Sequence, residues 1–266
     1  MRIANAIIAW AAVLLGAFLS SQSINIASWL SGFSISLLAI GGYLLNDYFD
    51  IDIDKINQPH RLIPSGKLIS KHALIISFIL LIVANLILAI LNIKLLYIGL
   101  VIAILLIIYT PFLKPRPLVG NVVVSLLLAT TFPIGALAAR GVLKEAIYPA
   151  VFAFLINFPR EVLKDGEDIT GDLRSGIKTF PIVYGLEKTR LLVISLLSLL
   201  SISLFASFFY YGLTFALIVS TGMIIPYIII GMELKLSPKW FRSSQLILKI
   251  TMIPGLIALL VSTVEY

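Results

Sequence analysis

Long apolar runs alternate with short polar breaks along nearly the whole chain. Most runs approach 20 residues, the length that carries a helix across a hydrocarbon core about 30 Å thick. Read between its breaks, the pattern predicts nine membrane-crossing helices, at about 3–20, 25–45, 72–91, 95–113, 118–139, 145–163, 190–209, 212–232 and 244–264. Only Tyr210, Tyr211 and Gly212 separate the seventh from the eighth, so eight crossings is the competing count. The first run begins at Met1-Arg2 as a signal peptide would, but it is too long for one and another run follows at once. The expected fold is all-α: a polytopic membrane bundle of about nine transmembrane helices forming a single domain over 1–266. Two polar stretches stand out for their length, at about 46–71 and 164–189, and function is sought there.

Composition agrees with the pattern. Of 266 residues, 60% are hydrophobic and 12% charged, against about 25% charged in a soluble domain, which excludes an ordinary soluble enzyme. Cysteine is absent, which removes disulfides, thiol nucleophiles and Cys-ligated metals. The net charge of +7 bears on orientation and on membrane lipids, and nucleic acid is not an expected partner. With a cytoplasmic N-terminus, 16 of the 20 basic residues fall inside, Lys94, Arg140 and Lys144 fall outside, and Lys249 lies within the ninth run. Eleven of the 13 acids share the cytoplasmic side, Glu145 and Glu265 being the exceptions. The expected location is the cell membrane, multi-pass, with both long loops cytoplasmic.

The acids form a pattern of their own. Asp47, Asp50 and Asp54 repeat as Asp165, Asp168 and Asp172 at a constant offset of 118, and six of the chain's seven aspartates are in these two sets. At 100° per residue each set predicts one narrow helical face, with Asp52 pointing elsewhere. Three carboxylates on one face call for a cation, and hard oxygen donors suit Mg²⁺ bridging to a substrate phosphate. Basic residues flank both sets: Lys55, Arg61, Lys67 and Lys71 beside the first, Arg160, Lys164, Arg174 and Lys178 around the second. Metal-binding acids beside phosphate-binding bases fit a diphosphate leaving group.

Asn46-Asp47-x-x-Asp50-x-x-x-Asp54 and Asp165-x-x-Asp168-x-x-x-Asp172 resemble the two aspartate-rich motifs of the UbiA-type intramembrane prenyltransferases. Tyr109-Thr110-Pro111-Phe112-Leu113-Lys114 followed by Gly120-Asn121, Arg61-x-x-Pro64-Ser65-Gly66, and Thr179-Phe180-Pro181-Ile182-x-x-Gly185 are similar to further family segments in the same order. The resemblance implies nine helices around a central cavity, with Mg²⁺ holding a prenyl diphosphate between the motifs. It makes Asp47, Asp50, Asp54, Asp165, Asp168 and Asp172 the metal-associated catalytic acids, and Asn46, Arg61, Lys114 and Lys178 the diphosphate partners. Tyr109 would face the allylic carbon, with Phe158 and Tyr48 as further aromatic candidates.

Within the family, Asn46 to Gly66 looks most like the archaeal members that make digeranylgeranylglyceryl phosphate. That likeness implies transfer of a geranylgeranyl group from its diphosphate to the hydroxyl of geranylgeranylglyceryl phosphate in archaeal ether-lipid synthesis. An aromatic acceptor such as 4-hydroxybenzoate is the alternative. A secondary transporter is the competing class, although its carboxylates would normally lie near the membrane midplane. Lys249, inside the last run, either snorkels or faces the cavity. Trp10, Trp29 and Trp240 read as interface anchors, and Pro133, Pro159, Pro226 and Pro254 as kinks.

Overall fold

The computed structural model describes residues 2–174, 176–232 and 236–262. Glu233, Lys235 and Glu265, used above in sorting charges, lie outside the described residues, as do positions 263 and 264 of the last predicted run. Among the described residues the regular elements are all helical: α1 (Arg2–Ser21), α2 (Ile26–Phe49), α3 (Ile51–Asn57), α4 (Ser70–Leu91), α5 (Ile93–Ile108), α6 (Val119–Ala129), α7 (Thr131–Ala139), α8 (Leu143–Glu167), α9 (Ile169–Arg174), α10 (Phe180–Tyr184), α11 (Leu186–Ala206), α12 (Phe208–Val219), α13 (Ile225–Met232) and α14 (Pro238–Ser262).

Among these residues nine segments are long and apolar enough to cross a membrane, which sets aside the count of eight. The seventh and eighth crossings part at Ser207, and Gly212, with φ 82° and ψ −174°, takes the chain through a conformation closed to larger residues. Several crossings are built of two pieces. α5 runs into a π-helical turn at Tyr109–Leu113, α6 gives way to α7 at Thr130, and α12 reaches α13 through a second π-helical turn at Ser220–Ile224. Pro133 and Pro226 lie just past two of these breaks, in the first turns of α7 and α13, where a missing N–H costs little, so the crossings are interrupted beside these prolines as the sequence predicts.

Packing follows the small residues. α1 crosses α7 with backbone against backbone: a Cβ on Gly16 would strike Phe132, and one on Gly135 would strike the Val13 carbonyl. One apolar core joins α1, α7, α8, α11, α12 and α14 around Leu163, Leu200, Phe215 and Leu248, and a second joins α2, α4 and α5 around Leu38, Leu88 and Leu95. Trp240 is only 2% exposed and packs edge-on against Phe241 in the first core, so it is a packing residue and not an interface anchor. The C-terminal ends of α2, α5 and α8 and the N-terminal end of α6 gather where α3 packs against α9.

Candidate functional site

Both aspartate motifs begin inside membrane helices and not in loops. Asn46 and Asp47 belong to the last turn of α2, and Asp165 to that of α8, so the polar stretches at 46–71 and 164–189 start a turn later than expected. Nor is either motif one continuous helical face. α2 stops at Asp50 (φ −93°, ψ 14°) and α8 stops at Asp168 (φ −88°, ψ 5°), the same conformation at the middle aspartate of each set. A new short helix starts at the next residue, while the amides of Asp54 and Asp172 still donate to the carbonyls of Asp50 and Asp168, at 2.8 and 3.1 Å. The bend leaves all three aspartates of the first set buried. Asp52 stands apart as its spacing predicts, its side chain 90% exposed and paired outward with Lys55 at 2.8 Å.

The first triad has cations from its own chain. One guanidinium nitrogen of Arg61, Nη1, donates to both oxygens of Asp54, at 2.5 and 2.6 Å, and reaches Asp47 Oδ1 at 3.4 Å. Lys114 Nζ donates to Asp50 Oδ2 at 2.5 Å. The π-helical turn delivers that lysine: its amide donates across five residues to the Tyr109 carbonyl, at 2.8 Å, and Pro111 inside the turn cannot donate to the preceding helix. Thr110, in the same turn, donates to Asn46 Oδ1 at 2.9 Å, which ties α5 to the motif. Gly120 lets α6 begin here, because a Cβ on it would lie 3.0 Å from Lys114 Cα and 3.4 Å from the Tyr109 ring.

The second triad is held differently. Asn121 Nδ2 donates to Asp165 Oδ2 at 2.9 Å. Asp172 is 3% exposed and takes no side-chain hydrogen bond or ion pair among the described residues. Burial raises its carboxyl to about 6 despite the opposing charge of Lys114, and burial raises Asp168 above the usual carboxylate range as well. Lys114, Arg61 and Asp54 all act electrostatically on Asp168, and Lys114 and Asp50 on Asp172, so the two motifs share one site.

The half-buried Tyr109 lies within electrostatic reach of Asp50, Asp165 and Asp172. Lys178 is exposed and joins none of these contacts. Phe158 packs on Phe154, and Tyr48 on Phe49. Sequence reasoning missed Asn121 as a site residue, although it stands in the segment that carries the resemblance. Arg160 and Glu161, within a turn of the second set, read from the sequence either as a structural pair or as substrate contacts. In the structure Arg160 Nη1 pairs with Glu161 Oε1 at 2.7 Å, with Lys164 Nζ 3.7 Å from Oε2.

The donor set is one of oxygens, which suits a hard divalent cation. Among the described residues no three acidic or imidazole side chains close on a single point. Arg61 and Lys114 occupy the first triad, leaving Asp172, buried and with no ion pair among the described residues, as the oxygen donor that fits such a cation best.

A family model described as the UbiA prenyltransferase family matches residues 6–244. The chain belongs to that family. It is a prenyltransferase, and a multi-pass membrane protein. It is 35% identical over 277 residues to digeranylgeranylglyceryl phosphate synthase of Saccharolobus solfataricus, covering 100% of this chain and 96% of that one. Among solved structures, a digeranylgeranylglyceryl phosphate synthase described in membranes aligns with a TM-score of 0.78 at 28% identity, over 100% of this chain and 96% of that one. A UbiA homolog from Archaeoglobus fulgidus, solved with DMAPP and Mg²⁺, aligns with a TM-score of 0.71 at 17% identity, over 97% and 96%, and shares the fold. Family membership removes the transporter reading.

Proposed function

We propose that this prenyltransferase moves a geranylgeranyl group from its diphosphate to the free hydroxyl of geranylgeranylglyceryl phosphate, the second ether bond of an archaeal membrane lipid. The observation that carries the reading is the meeting of two aspartate turns of one geometry with Arg61 and Lys114 between them. Full-length similarity to the synthase from Saccharolobus solfataricus supports the acceptor.

Asp47, Asp50, Asp54, Asp165, Asp168 and Asp172 would hold Mg²⁺, which when bound neutralises diphosphate charge and helps it leave. Arg61 and Lys114 exchange their carboxylates for diphosphate oxygens, keeping each cation paired throughout. Asn46, fixed by Thr110, adds a polar contact, and Lys178 joins from the exposed segment. Tyr109 faces the allylic carbon, where its ring stabilises positive charge as the C1–O bond lengthens. The apolar bundle holds the tail and keeps water from that carbon. The reading takes 1–266 as one domain, and the excess of basic residues on one side supports a site at the cytoplasmic face of the cell membrane.

The test is transfer by the purified full chain in detergent, with Mg²⁺ and geranylgeranyl diphosphate, to geranylgeranylglyceryl phosphate or to 4-hydroxybenzoate. Transfer to the glycerol hydroxyl is expected, with losses of about a hundredfold or more in Asp50→Asn and Asp168→Asn. Transfer to the aromatic acceptor alone would overturn the acceptor, and undiminished transfer in excess chelator would overturn the metal.

A further inference from the structure

Beneath the aspartates the bundle carries a second polar layer that the chemistry above does not use. Arg160 is seven residues before Glu167 at the end of α8 (167 − 160), about 10 Å deeper along the helix. Its Nη1 is committed to Glu161, at 2.7 Å, and to Asn157 Oδ1, at 3.3 Å. Its Nε is buried and donates to nothing among the described residues. Lys249, on α14, is eleven residues from that helix's start (249 − 238), about 16 Å in. It is half-buried, makes no ion pair among the described residues, and lies near enough to Arg160 for the two charges to repel. Tyr43, hydrogen-bonded to Asn5, brings α1 and α2 within electrostatic reach of the same group.

An ionised side chain at this depth is costly unless something answers it. Lys164, in the last turn of α8, is answered by Asp168 as well as Glu161, so in the deeper layer Arg160 and Lys249 against Glu161 leave one positive charge over (2 − 1). A phosphomonoester, roughly −1.5 to −2 near neutral pH, brings the anion that answers it. A small apolar cavity of about 60 Å³ lies one to two turns along both helices from these cations. Ile156 and Phe152, at four and eight residues before Arg160, line it from α8, and Met252 and Leu256, at three and seven residues after Lys249, line it from α14. The spacing puts each cation on the helix face that borders the cavity. A cationic head pocket over an apolar chamber has the form of a site for a phosphorylated isoprenoid.

We propose that Arg160 and Lys249 bind the phosphate of the lipid acceptor, at a position separate from the donor's diphosphate. The assignment rests on the reading of the acceptor as a glyceryl phosphate. Held there, the phosphate sets the glycerol hydroxyl between the cation pair and the aspartate layer, at the level of Tyr109, five residues in from Lys114. The acceptor's tail then points toward the cavity and the apolar bundle around it. Arg160 supplies its idle Nε and Lys249 its ammonium, which gives Lys249 a role in a crossing where it meets no carboxylate among the described residues.

The experiment measures equilibrium binding of geranylgeranylglyceryl phosphate, and of the same lipid without its phosphate, to the full-length protein in detergent with chelator present. Wild type should bind the phosphorylated lipid about tenfold or more tightly. Lys249→Met should remove most of that preference and leave the affinity for the unphosphorylated lipid unchanged. Arg160→Lys, which keeps the charge beside Glu161 but lacks Nε, should lower the preference less. Loss of affinity for both lipids alike would show a packing role and overturn the proposal, as would no change in either variant or no preference in wild type. Inorganic diphosphate competing for the site in wild type but not in Lys249→Met would reassign the cations to the donor. A wild type that prefers the phosphorylated lipid through Lys249 yet does not prenylate it would leave this site standing and refute the acceptor.

Discussion

The two aspartate turns have one spacing and one backbone bend, yet opposite electrostatic conditions. In the turn on α2, Arg61 and Lys114 reach in from the following loop and from the end of α5, and every carboxylate lies beside a cation. In the turn on α8, Asp165 receives a neutral amide hydrogen bond from Asn121, and Asp172 is buried with no side-chain partner among the described residues. A repeated motif thus does not carry a repeated state: what the rest of the chain brings to it decides whether its charges are balanced before any ligand arrives. The first turn is balanced by cations from its own chain, whereas in the second the charge of Asp172 meets no ion pair among the described residues.

Removing a carboxylate should therefore act with opposite sign in the two turns. Asp54→Ala strips Arg61 of its nearest partner, leaving only Asp47 at 3.4 Å. Deleting one side of a buried pair costs about 3–5 kcal/mol, and the partial exposure of Arg61 places the expected loss near the lower end, about 3 kcal/mol. Asp172→Asn should instead stabilise the metal-free protein by about 1–2 kcal/mol at pH 7.5, since it removes a charge that burial penalises. The folded-state value of about 6 lies above the ordinary 3.8, so the charged form weighs against the fold above about pH 6 and the penalty fades as pH falls toward 4. Thermal unfolding in detergent with chelator, at pH 7.5 and pH 4.5, checks both. Equal destabilisation by the two variants would erase the contrast between the turns.

The nine crossings were legible because apolar length alone specifies a membrane helix, and Asp52 could be separated from its neighbours by spacing alone. The break at the middle aspartate was not legible. A constant offset says that two segments are alike, and a uniform 100° step assumes the helix goes on, whereas Asp50 and Asp168 each end one helix and precede another. Partners were hidden for another reason. Lys114 is 64 residues from Asp50, and Asn121 is 44 from Asp165, so no local pattern links either pair. Trp240 went astray because Trp is common at both interfaces and cores, and only packing against Phe241 decides between them.

The smallest expected effect separates the turns by protons. A cation that binds the second turn must meet Asp172 ionised, and below about pH 6 that carboxyl holds a proton in the metal-free protein. Each ion bound there then displaces one proton, so apparent Mg²⁺ affinity should fall by up to about tenfold per pH unit between pH 6 and pH 5, a change of about 1.4 kcal/mol. Above pH 7 the dependence should flatten, because the carboxylate is already free of its proton. Asp172→Asn should bind the ion more weakly but with a shallower pH slope, whereas Asp54→Asn should keep the slope of wild type. Calorimetric titration with Mg²⁺ in two buffers of different ionisation enthalpy counts the protons released. A slope that persists in Asp172→Asn would assign the titration to Asp168, which burial also raises.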